Sequence, residues 1–170
     1  MPHLVLPSTK YKTSYLKALP KYHTEGRHLE YNLKKARQYF PALIQQIRNQ
    51  AKGIGLPPGW VPHTEYWLVK GGSYLGAGVI RHRLNRHLLK IGGTIGYDIN
   101  PSKRNQGYGT LILKLLLKKA RLMGLKKVLI TCDETNDPSY KIIIANGGKL
   151  QNAVEQGAGL PQKLRFWIRL

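Results

Sequence analysis

Ile99-Asn100-Pro101-Ser102-Lys103-Arg104-Asn105-Gln106-Gly107-Tyr108-Gly109-Thr110 is the stretch on which the reading of this chain turns. It stands between a predicted strand that ends near Ile99 and a helix predicted from about Gly107 to Met123. Leu111, Ile112, Leu115, Leu116, Ala120 and Met123 recur at helical spacing and form that helix's apolar stripe. Lys114, Lys118 and Arg121 supply its wet face, and Gly124 is a C-terminal stop. Backbone N–H groups that crowd at a helix start, helped by the helix dipole, make an anion site. Gly107 and Gly109 let that backbone approach a phosphate with no Cβ in the way, and Lys103 and Arg104 add positive charge beside it. Two glycines that merely cap a helix would look the same, so the segment's neighbours have to decide.

Downstream, Lys127 to Cys132 reads as a strand. Asp137-Pro138 opens another helix, with a capping residue and a proline in its first turn, and Asn146-Gly147-Gly148 ends it. Two last strands, near Lys149 to Glu155 and Leu164 to Arg169, flank a turn at Gly157 to Gly159. Upstream, the strand before the loop is predicted over Leu89 to Ile99, weakened by Gly92, Gly93 and Gly96. Glycine inside a strand marks a bulge or a close approach of backbone or ligand. Two earlier strands, around Tyr66 to Leu68 and over Tyr74 to Arg83, turn at Lys70-Gly71-Gly72-Ser73. Before them, Gly53 to Pro62 is a loop. A helix is expected from about Leu29 to Ala51, kinked or divided at Pro41. Another runs from Ser8 to just before Pro20, and a short strand fits Leu4 to Leu6. Meandering strands followed by a βαβ crossover make an α/β protein with a mixed sheet.

A length of 170 residues with 42% hydrophobic content suits one domain with a real core. The single cysteine, Cys132, excludes a disulfide framework and a cysteine-rich zinc site. No signal peptide and no membrane-length apolar run is visible, so a soluble cytoplasmic protein without a membrane partner is expected. The formal charge of +20 attracts polyanions, whether nucleic acid, an acidic substrate or the phosphates of a cofactor. Its basic residues are scattered, and an unselective basic surface fits the same numbers. The P-loop motif Gly-x4-Gly-Lys-(Ser/Thr) and the dinucleotide motif Gly-x-Gly-x-x-Gly are both absent.

The strand–loop–helix entry with the order Arg-x-x-Gly-x-Gly, from Arg104 to Gly109, resembles the GNAT N-acetyltransferase superfamily. The likeness continues through the helix, the Val128-to-Cys132 strand, Asn136-x-x-Ser139 and Asn146-Gly147-Gly148. Upstream segments such as Arg81-His82-Arg83-Leu84-Asn85 and Gly92-Gly93-Thr94-Ile95-Gly96-Tyr97 look like a bacterial branch of it. The match covers roughly residues 60 to 150.

The resemblance implies a mixed, largely antiparallel sheet of six or seven strands, a splayed central parallel pair and about four flanking helices. It implies one acetyltransferase domain over residues 1–170, with a cofactor core over about 89–148. It further implies acetyl-CoA as co-substrate, no metal, and direct attack by a primary amine on the thioester. The cofactor residues it carries over are Ile99, Arg104, Asn105, Gln106, Gly107, Tyr108, Gly109, Thr110, Asn136 and Ser139. The acceptor amine is unidentified, the molecule a monomer or homodimer. A second reading, from the charge, is a nucleic-acid- or ribosome-binding module that keeps the fold with little catalysis.

Amine acetylation needs a proton acceptor for the amine and a proton donor for the departing thiolate. The family's usual acid is a Tyr four residues before the helix-ending glycine. Here that place holds Ile143, and Tyr140, three residues earlier on the same helix, is the candidate in its stead. For a base, Asp98 lies in the strand beside the cofactor and His82 titrates near neutrality, while Glu65 starts an earlier strand. Asp133, Glu134 and Asp137 would draw a cation to the cleft; as plain structure, Asp137 caps the helix and the other two are solvated. Cys132 reads as a small buried hydrophobe and not as a nucleophile.

Overall fold

The structure is a computed structural model that describes residues 1–170. Its elements run β1 (His3–Val5), α1 (Lys12–His23), α2 (Leu33–Gln38), α3 (Phe40–Asn49), β2 (His63–Lys70), β3 (Ser73–Arg81), β4 (Ile95–Ile99), α4 (Tyr108–Leu122), β5 (Lys127–Asp133), α5 (Asp137–Ala145), β6 (Lys149–Val154) and β7 (Lys163–Arg169). The strands form two antiparallel ladders, β1-β2-β3-β4 and β5-β7-β6.

The ladders meet at one place. Thr94 N–H donates to Leu129 O at 2.6 Å, and Leu129 N–H donates to Thr94 Oγ1 at 3.0 Å. Beyond it β4 and β5 run side by side without a ladder bond, so the edge of β4 that faces β5 stays open. This is the splayed parallel pair. Gly93 sets its starting point: its φ is +71°, and a Cβ there would lie 2.8 Å from Leu129 O. Only glycine lets the chain turn that close to β5.

Strand alternation splits the side chains of the first ladder between two cores. Leu68, Ile80, Ile95 and Ile99 face Ile112, Leu113 and Leu116 of α4. Trp67, Val69, Tyr74 and Ala77 face α1 and α3, where Tyr15 stacks on Trp67 with ring centroids 4.7 Å apart. Each fully buried side chain of this kind contributes about 1.5–3 kcal/mol relative to exposure.

Several expectations shift. The helix expected over 29–51 is two helices, broken at Tyr39 (φ −121°, ψ 44°), with Pro41 inside the first turn of α3. Proline fits there because a first-turn N–H has no intrahelical partner. Helix α1 continues through Pro20 to His23. The strand expected over 89–99 is shorter: Leu88–Gly92 form a turn of π-helix, and pairing with β3 begins at Ile95. The apolar run at 88–91 packs as a turn against β5, where Thr131 Oγ1 donates to Ile91 O at 2.7 Å. Asn136, and not Asp137, caps α5, its Oδ1 accepting from Ser139 N–H at 3.1 Å.

Candidate active site

The loop after β4 and the gap between β4 and β5 open at the same end of the sheet, where α4 and α5 begin. Pro101–Lys103 form a short 3-10 turn held by Asn100, whose Oδ1 accepts from Ser102 N–H at 3.2 Å. The next four backbone N–H groups, of Arg104, Asn105, Gln106 and Gly107, donate to no protein acceptor. Those of Tyr108, Gly109 and Thr110 belong to the first turn of a 15-residue helix, where no intrahelical acceptor exists and no side chain caps them. Seven consecutive donors thus converge at the positive end of a helix dipole. Asn105 (φ +58°) and Gly107 (φ +76°) are both left-handed, which curls the backbone into a concave nest.

The two glycines of the motif have different jobs. A Cβ on Gly107 would meet nothing within 4 Å, so the space above it is open, while its positive φ excludes most side chains. A Cβ on Gly109 would collide with Ile142 Cδ1. Gly109 therefore lets α4 and α5 pack closely, and the open space lies at Gly107.

Arg104 does not point its charge into the nest. Its guanidinium grips Glu25, just past α1, through two bonds of 2.8 and 2.7 Å, and its Nε donates to Ile99 O at 3.3 Å. That pairing holds the Glu25 carboxyl below the usual carboxylate range. Arg104 thus ties the loop to the segment just past α1, and its charge is spent there.

Asp98 is surrounded by basic side chains. Arg27 Nη1 lies at 3.2 Å, His28 Nε2 at 3.1 Å and Arg104 Nη2 at 3.8 Å, and the Asp98 side chain is 10% exposed. A carboxylate so surrounded clamps β4, the loop and the segment after α1 together. His82 lies on the surface just past β3, its Nε2 bonded to Thr64 Oγ1 at 2.8 Å, apart from Asp98. Tyr140 is exposed, its ring edge on Phe166 at 5.6 Å, and Ile143 is wholly buried in the core. Ser139 faces the gap instead: its Oγ meets Tyr97 Oη at 3.0 Å, joining β4 to α5. Burial pushes the Tyr97 hydroxyl up to about 12.

Tyr97 escaped sequence reading because its partner is 42 residues away. A second feature shows in the sequence only through Glu65, one of the candidate bases. On the α1–α3 side of the sheet is a cavity of about 300 Å³, walled by Tyr31, Trp60, His63 and Arg81 and holding Glu30 and Glu65. It sits over Glu65 and Val79, one strand from Gly96 of β4. Its pieces come from residues 28 to 88, and only the unusual Glu65-x-Trp67 within an apolar strand signals it. No group of three or more His, Cys, Asp or Glu gathers to hold a metal, and no helix is long and apolar enough to cross a membrane.

Two parallel strands that part over a nest of free amides define the acyl-CoA-dependent acyltransferase class. Within that class the chain belongs to the GNAT acetyltransferase family, whose domain model, described as "Acetyltransferase (GNAT) domain", matches residues 15–149. No curated protein matches the sequence. Among solved structures, the fold is similar to the microcin C7 self immunity acetyltransferase MccE in complex with acetyl-CoA and AMP (TM-score 0.70, 14% identity, 99% of this chain and 92% of that one). It is also similar to RimJ of Mycobacterium smegmatis in complex with CoA-disulfide (0.69, 18%, 98% and 80%). A third is RimL, a ribosomal L7/L12 alpha-N-protein acetyltransferase in complex with coenzyme A (0.67, 14%, 99% and 94%).

Proposed function

We propose that the protein is an acetyl-CoA-dependent N-acetyltransferase that moves the acetyl group to a primary amine by direct attack. The observation that carries this reading is the row of seven unpartnered amides from Arg104 to Thr110 over the open space at Gly107. Such a nest fits a pyrophosphate, and the unpaired edge of β4 near Ile99 fits the amide-bearing arm that follows it. Asn105, Gln106, Gly107, Tyr108, Gly109 and Thr110 hold the phosphates through their main chain, with Arg104 fixing the loop's shape. Asn136, its Oδ1 committed to the helix cap, has its side-chain amide left to donate to that arm. Acetyl-CoA supplies an activated acyl carbon; the chain's residues position it, shield it and move protons around it.

The Ser139–Tyr97 hydroxyl pair, and not Tyr140, stands where a departing thiolate would take its proton. Asp98 acts as a positioning residue, and His82 has no part. The reading takes residues 1–170 as one unit with its cofactor core over about 89–148, working in the cytoplasm. The non-catalytic polyanion-binding alternative has only the +20 charge in its favour. It leaves the free amides and the acidic cavity without a use. Thiol release from acetyl-CoA that depends on an added primary amine tests the proposal. Release at the same rate with and without every amine tried would overturn it.

A further inference from the structure

Eight carboxylates serve this chain against 28 Lys and Arg, so a buried one without a basic neighbour is unexpected. Among them Glu65, Asp98 and Asp133 are half-buried, and the other five are exposed. Asp98 has Arg27, His28 and Arg104 around it, and Asp133 has Lys163 at 2.5 Å. Glu65 has no Lys, Arg or His nitrogen within 4 Å. Its one hydrogen bond comes from Trp67 Nε1, at 2.7 Å to Oε1, and Trp67 is fully buried and stacked on Tyr15. One carboxylate oxygen is thus fixed by a rigid donor, and the other is left without a partner in the cavity. Leaving a buried carboxylate uncompensated is costly, and folds keep such groups where a ligand completes them.

We propose that Glu65 receives the ammonium group of the acetyl acceptor and takes its proton, and that the acceptor is a compact monocationic amine bearing an apolar or aromatic group. This rests on the acetyltransferase reading above and names the acceptor side of the same site. The walls carry Glu30 and Glu65 against Arg81, whose Nη1 is spent on Gly92 O and Gly93 O at 2.9 and 3.0 Å, and His28, whose Nε2 is spent on Asp98 Oδ2 at 3.1 Å. Burial lowers the pKa of His63, whose ring nitrogens are taken up by Val61 O and Gln50 Oε1, each at 3.0 Å. With Arg81 and His28 bonded elsewhere, one ammonium supplies the partner that Glu65 lacks. Tyr31 and Trp60 supply faces for cation–π and apolar contact, and 300 Å³ lies at the small end of ligand sites, roughly 300–1,000 Å³. Glu65 and Gly96 stand in one row across β3, about 10 Å apart from strand spacing, close enough for an amine on Glu65 to turn toward β4.

The step balances. The ammonium gives one proton to Glu65, which passes it to water. The freed nitrogen bonds to the acetyl carbon as the carbon–sulfur bond breaks, and the second amine proton goes to the sulfur. Burial raises the Glu65 carboxyl above its ordinary range, which brings its basicity nearer to neutral pH.

The test uses 2-phenylethylamine as probe, with spermidine and an N-terminal-serine peptide as the polycationic and polypeptide rivals. Binding is read by thermal shift and calorimetry without acetyl-CoA, and acetyl-CoA is titrated separately. We expect 2-phenylethylamine to bind best and Glu65→Gln to weaken it at least tenfold. The Gln variant should bind acetyl-CoA as the parent does, and Glu65→Asp should recover part of the amine affinity. Equal amine binding by the parent and the Gln variant, tighter binding of either rival, or no amine binding at all would overturn the inference. If acetyl-CoA binding is intact in that case, the acetyltransferase reading stands. A flat acetyl-CoA titration with amine binding intact would instead break that reading, and the acceptor role of Glu65 with it.

Discussion

The phosphate nest and the acidic cavity lie on the same sheet and solve opposite electrostatic problems. In the nest the chain offers backbone donors alone, while the nearby guanidinium of Arg104 is turned away onto Glu25. In the cavity the chain leaves a carboxylate bare although basic residues outnumber acidic ones, 28 to 8. Net charge therefore predicts neither place. The formal +20 speaks to solubility and long-range attraction, and the local arrangement of partners decides what each site can hold. Asp98 and Glu65 make the same point within one face of one sheet. One is matched by two guanidinium groups and an imidazole and works as a clamp; the other is matched by a single indole N–H.

The comparison can be broken most forcefully at Gly107. A folded Gly107→Glu protein should lose at least about 100-fold in acetyl-CoA affinity, about 2.7 kcal/mol, because a side chain and a negative charge would fill the nest. Gly107→Ala separates occupation from backbone strain: it should lower the melting temperature through its left-handed φ yet retain measurable binding. Next comes the clamp. Asp98→Ala leaves Arg27, His28 and Arg104 facing one another and should destabilise the fold by about 3 kcal/mol in denaturant titration. If stability is unchanged, the cluster is ornamental and the contrast with Glu65 fails.

Gly109→Ala should cost roughly 1–3 kcal/mol through contact with Ile142, with acetyl-CoA affinity kept in the folded protein. Adding Ile142→Val should recover part of that loss. Loss of affinity without loss of stability would return Gly109 to the phosphate role that its motif suggests. At Asn136, Ala should cost about 1 kcal/mol by removing the α5 cap, whereas Asp keeps the cap and removes only the amide donor. Asn136→Asp should therefore weaken acetyl-CoA binding without lowering the melting temperature.

The smallest effect is a pH dependence. The folded-state Glu65 carboxyl titrates above its unfolded value. Its protonated form thus favours the fold at low pH, and that contribution is lost as pH rises through the folded value. Glu65→Gln should then melt above the parent at pH 7 to 8, the difference shrinking in acid. An opposite sign would mean that a cation already compensates Glu65.

How much of this was legible in the sequence follows from how local each feature is. The nest was legible because strand end, glycine and helix start are contiguous, and hydrophobic spacing alone marks the helix behind it. Even there the sequence could not tell Gly107 from Gly109, since the difference lies in Ile142, on another helix. The turn at 88–92 was misread as strand because Leu88, Leu89 and Ile91 suit both, and only the pairing of Thr94 with Leu129 shows where β4 begins. The Asp98 clamp joins residues about 70 apart, and the cavity joins segments from 28 to 88. No periodicity announces such meetings. The placement of Tyr140 was hidden for a similar reason: helix phase puts that ring on Phe166, and Ser139, one residue earlier, on Tyr97.

Calorimetric titration of the unmodified protein with acetyl-CoA tests the central claim most directly. Saturable binding at one site, lost in folded Gly107→Glu, is the predicted result. No heat of binding from the unmodified protein, or the same affinity in the Gly107→Glu variant, would contradict it.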